Sequence, residues 1–306
     1  MVLVVGATGQ VGGQVARMLL ARGEAVRLLA RRPERLAGLR HLGAEVVEGD
    51  LLAPATLVTA LAGCSEVITT ANGGGLPPAR QVVDREGNTN LIQAAIAARV
   101  GRLVFLSARS AAPDSPVDLF RWKWETEQRL QASPLDHVIL RPTHLMETWI
   151  QVLGPAALKG RVALFGKGTN PIAFVAAADV ARVAVAALRE PRASRRTLEL
   201  GGPAAVSLGE LVEGLETTLG RRIRRHHLPL PLLAALSRLL RPWSPVLARQ
   251  LGFSLLIEST DQLSRDQSAW ELFPGPRTTV EQFLRAWVAT ATAPAREVAE
   301  GEASHP

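Results

Sequence analysis

The chain has 306 residues, 47% of them hydrophobic and 21% charged, with a formal net charge of +7. A sequence of that length and apolar content buries a large core, which excludes disorder of the chain as a whole, and a single cysteine, Cys64, excludes an internal disulfide and fits a reducing cytoplasm. Only three of the 35 basic residues are lysines, at 123, 159 and 167, and the arginines are spread rather than massed, a pattern that favours solubility over nucleic-acid binding.

The first predicted strand, Val2 to Val5, starts so early that no signal peptide is expected, and no apolar run reaches the length of a membrane span, so a cytoplasmic location is expected. The strand breaks into Gly6-Ala7-Thr8-Gly9-Gln10-Val11-Gly12, and an amphipathic run follows with Val11, Val15, Met18 and Leu19 on one side. Glycines at this strand-to-helix turn allow a sharp bend, close approach of a pyrophosphate to the backbone, and tight packing of the helix on the sheet. The spacing is G-x-x-G-x-x-G rather than G-x-G-x-x-G, so the strand before and the helix after carry the weight. Gly6, Thr8, Gly9, Gln10, Val11 and Gly12 are the expected dinucleotide contacts.

A second strand near 25–30 ends at Arg31 and Arg32, where an NAD-specific site places an acidic residue. Two guanidiniums suit a 2′-phosphate, so NADP(H) is expected in preference to NAD(H), the alternative being arginines that solvate a turn or pair with Glu34. Strand three, near 44–48, leads into Gly49-Asp50-Leu51, with Asp50 placed to accept from an adenine amino group and Leu51 to line the ring. Strand four, near 66–69, runs into Thr70-Ala71-Asn72-Gly73-Gly74-Gly75, small residues that let Ala71 and Asn72 pass beside the ribose or nicotinamide. Strands near 102–107 and 137–141 complete an alternation of strands and helices.

The fold class is α/β, a Rossmann-type doubly wound parallel sheet with a smaller C-terminal substrate lobe. Residues 1–142 form the expected dinucleotide-binding core, with 171–200 returning to it. Residues 143–170 and 201–290 form the lobe, with a capped helix from Ser207 to Leu219, and 291–306 a frayed tail. The basic run Arg221 to His227 is expected as a solvated edge strand, since no aromatic residues interleave it for nucleic acid. The apolar stretch Leu228 to Leu240, interrupted by prolines and carrying Arg238, is expected to be buried against the main domain or to act as a lid. The histidines lack companion ligands, so no metal site is expected.

Gly6 to Gly12, Gly49-Asp50-Leu51, Asp84-Arg85-Glu86-Gly87-Asn88, Leu103 to Ser107, Lys123 with Glu127, Ile139 to Thr143 and Ala178-Asp179-Val180-Ala181 together make the chain resemble the NmrA-like, atypical branch of the short-chain dehydrogenase/reductase superfamily, up to about residue 285. Ketone reducers of that superfamily carry a tyrosine four residues before the lysine to act as acid. Here that position is Leu119, and the chain has no tyrosine. Lys123 stands out by the scarcity of lysine, and an ammonium on a helix facing the crevice is expected to bind the nicotinamide ribose hydroxyls or, if desolvated, to act as an acid or base; the resemblance implies a catalytic part for it, and the alternative is a surface lysine paired with Glu127 at i+4. It also implies a substrate-orienting serine at Ser107 or Ser110, and a backbone contact with the nicotinamide carboxamide at Pro142 and Thr143. His144 has the proton affinity for transfer chemistry, or packs or caps a helix, and Trp122, Trp124 and Trp149 are candidates for an aromatic pocket wall or for core packing.

The function expected is an NAD(P)H-dependent reductase of a small-molecule acceptor, aromatic or quinone, whose hydroquinone anion needs no tyrosine acid. The alternative is an NADP(H)-binding sensor, or an accessory subunit of a redox complex, acting through a partner protein without turnover. Helices near 82–100 and 117–131 hold positions that pair in homodimers of the superfamily.

Overall fold

A computed structural model describes residues 1–73, 83–240 and 242–292. Gly74 and Gly75, and the tail beyond 292, lie outside the described residues. Twelve strands are described: β1 Val2–Val5, β2 Val26–Ala30, β3 Glu45–Glu48, β4 Glu66–Thr69, β5 Arg102–Leu106, β6 Asp136–Pro142, β7 His144–Leu145, β8 Arg161–Phe165, β9 Ile172–Val175, β10 Arg196–Leu200, β11 Ala205–Val206 and β12 Arg224–Leu228. Seven of them form one parallel sheet in the order β10-β6-β5-β4-β1-β2-β3. The chain winds outward from β1 in both directions, so the switch point lies between β1 and β4, where a crevice opens beyond the carboxyl ends of the strands.

The period of two along each strand divides its side chains between the two faces. On one face Val2, Val4, Leu28, Ile68, Val104, Leu140 and Leu198 pack with the helices Gln10–Ala21 and Ala177–Ala187. On the other, Leu3, Val5, Leu29, Val67, Leu103, Phe105 and Ile139 pack with the helices Pro54–Leu61, Asn88–Ala97 and Asp118–Ala132. β1 is buried along its whole length, which accounts for its unbroken valine and leucine run.

A third core gathers Trp149 and Ile150 of helix Met146–Leu158, Leu164, Phe174, Leu211 and Leu215 of helix Leu208–Leu219, and Leu284 of helix Val280–Ala291. Sequence signals fix the ends of two of these helices. Ser207 and Glu210 make a reciprocal capping box, and Gly220 closes the same helix in the left-handed conformation at φ +64°. Thr279 and Gln282 make the equivalent box at the start of Val280–Ala291.

β12 pairs in parallel with β8, and Arg224, His226 and His227 are exposed along it. The stretch after it forms helix Leu230–Leu240, which packs against helix Pro245–Ser259. The expected burial of this stretch is met by Leu233 alone; Leu232 and Leu239 face solvent. Among the described residues no helix is long and apolar enough to cross a membrane, and no group of three or more His, Cys, Asp or Glu side chains converges to hold a metal.

Candidate active site

The glycine turn at the end of β1 is shaped by close approach. Gly6 sits at φ +87°, and a Cβ there would lie 2.7 Å from Thr70 Oγ1. A Cβ on Gly12 would lie 2.4 Å from the Gly6 carbonyl oxygen, so this glycine lets the helix press on the turn. Gly9 is the N-cap of helix Gln10–Ala21; no side chain caps it and no acidic residue occupies its first turn. The N–H groups of that first turn are therefore available to an anion, with the positive end of the helix dipole behind them.

Beyond this turn lies a cleft walled by Gly6, Thr8, Arg31, Arg32, Arg35, Asp50, Leu51, Ala71, Asn72 and Gly73 among others. It brings together residues from the ends of β1, β2, β3 and β4 that the sequence placed apart. Gly9, Gln10, Val11 and Gly12 stand beside it rather than on its wall, as the turn and the helix start. Arg31, Arg32 and Arg35 are exposed, and among the described residues none of the three is in an ion pair. Arg35 is an addition to the sequence-based set: the one-turn 3-10 helix Pro33–Leu36 brings it back to the mouth of β2. Asp50 is held in its turn by the Leu52 N–H donating to Oδ1 at 3.0 Å and by its own N–H donating to Thr56 Oγ1 at 3.1 Å.

Lys123 lies at the join between this cleft and a second cavity. Its side chain is 3% exposed, and Nζ donates to the Leu106 carbonyl at 2.9 Å and the Ala71 carbonyl at 3.2 Å. Asp84 Oδ1 is 3.8 Å away and the centre of the Phe105 ring 4.8 Å. Burial pushes the amine below the usual lysine range, opposed by the charges of Asp84 and then Glu127. Burial pushes the Asp84 carboxyl up in turn, opposed by Lys123 and by the Gly73 N–H, which donates to Oδ2 at 2.7 Å. Asp84 thus bridges the cleft-lining Gly73 and the lysine, while among the described residues its Oδ1 has no hydrogen-bond partner. Sequence reasoning singled out Asp84 as a motif residue without seeing this position.

Glu127, one turn after Lys123, turns elsewhere. It is fully buried, and its two oxygens meet the Arg141 guanidinium in a bidentate pair, Nε to Oε1 at 2.9 Å and Nη2 to Oε2. Ser107 Oγ also donates to Oε1. The i+4 pairing with Lys123 weighed from the sequence is therefore replaced by a Ser107-Glu127-Arg141 cluster that ties the ends of β5 and β6 to helix Asp118–Ala132.

The second cavity is walled by Thr70, Asn72, Ser107, Ser110, Leu119, Lys123, Pro142, Thr143, His144, Trp149 and Phe253 among others. Asn72 lines both spaces, so the two are adjacent. Leu119 presents an aliphatic side chain where the superfamily's acid is expected. Trp149 is on the wall, whereas Trp122 and Trp124 are not. Thr143 is pinned by its N–H donating to the Leu200 carbonyl at 2.9 Å and its hydroxyl to the Ala173 carbonyl.

His144 packs edge-on against Trp149, Phe174 and Phe253, and its Nε2 is 2.8 Å from Gln262 Oε1. The Gln262 amide group donates to Thr260 Oγ1 and toward the Leu256 carbonyl, which fixes Oε1 as the acceptor and places the imidazole proton on Nε2. Burial pushes the imidazole below its ordinary value, opposed by this hydrogen bond.

The family model described as NAD(P)H-binding matches residues 6–191. Photosystem II assembly factor Ycf39 of Synechocystis sp. is 33% identical, the match spanning 93% of this chain and 89% of that protein. NAD(P)H azoreductase of Xenophilus azovorans is also 33% identical, over 73% of this chain and 76% of that one. The crystal structure of an Escherichia coli NADPH-dependent quinone oxidoreductase complexed with NADPH shares the fold, with a TM-score of 0.78 over 94% of this chain and 100% of that one, at 22% identity. The chain belongs to the NAD(P)H-binding family, and the NmrA-like resemblance drawn from its motifs is borne out.

Proposed function

We propose that this member of the NAD(P)H-binding family is an NADPH-dependent oxidoreductase that passes a hydride to a quinone or a similarly activated acceptor. The observation that carries this reading is the second cavity itself: it lies beside the cofactor cleft with Asn72 on the wall of both, yet Leu119 stands in place of an acid. Of the other candidate donors, Lys123 directs two of its three N–H bonds at backbone carbonyls, Ser107 donates to Glu127 and His144 pairs with Gln262. An acceptor that yields a basic alkoxide needs a positioned acid. A quinone yields a hydroquinone monoanion of far lower basicity, which takes its proton from water.

The residues present fit the cofactor, since a Cβ at Gly6 or Gly12 would fill the turn and the cleft ends in three guanidiniums. In this assignment the helix N-terminus at Gly9, Gln10, Val11 and Gly12, with Gly6 and Thr8, holds the pyrophosphate. Arg31 and Arg32, with Arg35, take the 2′-phosphate, Asp50 and Leu51 the adenine, and Ala71 and Asn72 the nicotinamide-side ribose. Pro142 and Thr143 meet the carboxamide. The cofactor supplies the hydride, two electrons with one proton, to the acceptor.

Lys123 places a cation at the junction, held there by the Leu106 and Ala71 carbonyls, and favours the negative charge that develops on the acceptor. Ser107 orients a ligand group through the lone pairs left after it donates to Glu127. His144, Trp149 and Phe253 give the acceptor an aromatic wall. Residues 1–142 with 171–200 serve as the cofactor-binding unit and the remainder as the substrate lobe.

A second reading, an accessory protein that binds NADP(H) without turnover, is favoured by the likeness to a photosystem II assembly factor. Stopped-flow oxidation of NADPH against a panel of quinones separates the two. Turnover that is lost in Lys123→Met with NADPH binding retained supports the reductase; tight NADPH binding with no oxidation by any quinone of the panel refutes it.

A further inference from the structure

We propose that the helical hairpin formed by Leu230–Leu240 and Pro245–Ser259 docks on the surface of an anionic lipid bilayer. The outer side of the first helix carries Leu232 at 49% exposure and Leu239 at 69%, one stripe at i and i+7 with Ala235 exposed between them. Trp243, in the turn between the helices, is 84% exposed, and Leu247 at the start of the second helix is 42% exposed. Isolated exposed leucines are ordinary, but a continuous stripe that ends on a bare tryptophan is the composition of a helix lying in a membrane interface.

The charge on the same stretch selects the occupant. From residue 221 to 257 the sequence holds seven arginines and no aspartate or glutamate. Arg225 is neutralised by Glu213 and Glu216, whereas Arg222, Arg224 and Arg238 are exposed and, among the described residues, in no ion pair. A second copy of this chain would bring two arginine-rich surfaces together, and like charges would oppose it. An anionic headgroup layer meets the arginines while the leucines and Trp243 enter the region beneath it. This docking is independent of the reductase reading, because neither the cofactor nor an acceptor takes part in it.

The test is co-sedimentation of the full chain with vesicles of phosphatidylcholine mixed with phosphatidylglycerol, against vesicles of phosphatidylcholine alone. Binding to the mixed vesicles is expected, weakened by salt and much reduced on the neutral ones. Leu239→Ser with Trp243→Ser should lower the partition coefficient about tenfold or more, and Arg238→Gln about fivefold. Both variants should bind NADPH as the parent does, which shows that the fold is kept. No binding to mixed vesicles, or binding undiminished in the double serine variant, overturns the proposal. So does a dimer in light scattering that the double variant abolishes, or a protein partner captured through the stripe without any affinity for the mixed vesicles.

Discussion

Replacing Glu127 by glutamine removes one charge from the fully buried carboxylate that holds Arg141 and Ser107, with almost no change of volume. Breaking a buried ion pair by neutralising one partner costs about 3–5 kcal/mol, because the other charge is left without compensation. Arg141 keeps 24% of its side chain exposed and recovers part of its hydration, which places the expected cost near the lower limit, about 3 kcal/mol. At about 1.5 °C per kcal/mol in a chain of this size, the melting temperature should fall by about 5 °C. Arg141→Met in the same background removes the orphaned charge, so the double variant should recover a coupling energy of about 2 kcal/mol in a denaturant-based double-mutant cycle. A loss below about 1 kcal/mol for Glu127→Gln, or costs that simply add in the double variant, would refute the buried-pair account. The same cycle followed through NADPH oxidation tests whether loosening the ends of β5 and β6 disturbs the cavity wall.

For the cofactor, Arg31→Ala and Arg35→Ala should each weaken NADPH roughly tenfold in a fluorescence titration while leaving NADH nearly unchanged; equal losses for both nucleotides would remove the 2′-phosphate role. The pH dependence rests on His137, buried, and His144, half-buried in the cavity wall, both held below the ordinary value of 6.5. Below that value the unfolded chain takes up protons that the folded chain refuses, so stability falls as pH drops from about 6.5 toward the lowered folded values. Each histidine adds up to about 1.4 kcal/mol per pH unit to that slope. Urea midpoints from about pH 7 to about pH 5 should therefore flatten when both are replaced by asparagine; an unchanged slope would show that neither is held neutral.

Much of the architecture could be read directly from local pattern. The valine run of β1 and the strand-helix alternation led to the doubly wound sheet, because a strand buried on both faces has little compositional freedom. The glycine turn was legible for the same reason: at Gly6 and Gly12 the backbone leaves no space for a Cβ. What stayed hidden depends on distance in the chain. Asp84 meets Gly73 and Lys123 from separate segments, so no spacing rule finds it. Glu127 was legible only as a helical neighbour of Lys123, since sequence does not reveal that the guanidinium of Arg141, reaching over from β6, offers two aligned bonds. The apolar stretch Leu228 to Leu240 was visible, but composition does not state whether its apolar side chains meet protein or solvent.

Helix Pro245–Ser259 faces two ways, with Phe253 in the wall of the second cavity and Leu247 turned outward beside Trp243. A lipophilic acceptor dissolved in a layer that covers the outer side would search for the cavity by lateral diffusion in two dimensions rather than from dilute bulk water. Its effective concentration would then be set by the small volume of that layer, and the apparent KM for such an acceptor would track the amount of lipid supplied in the assay.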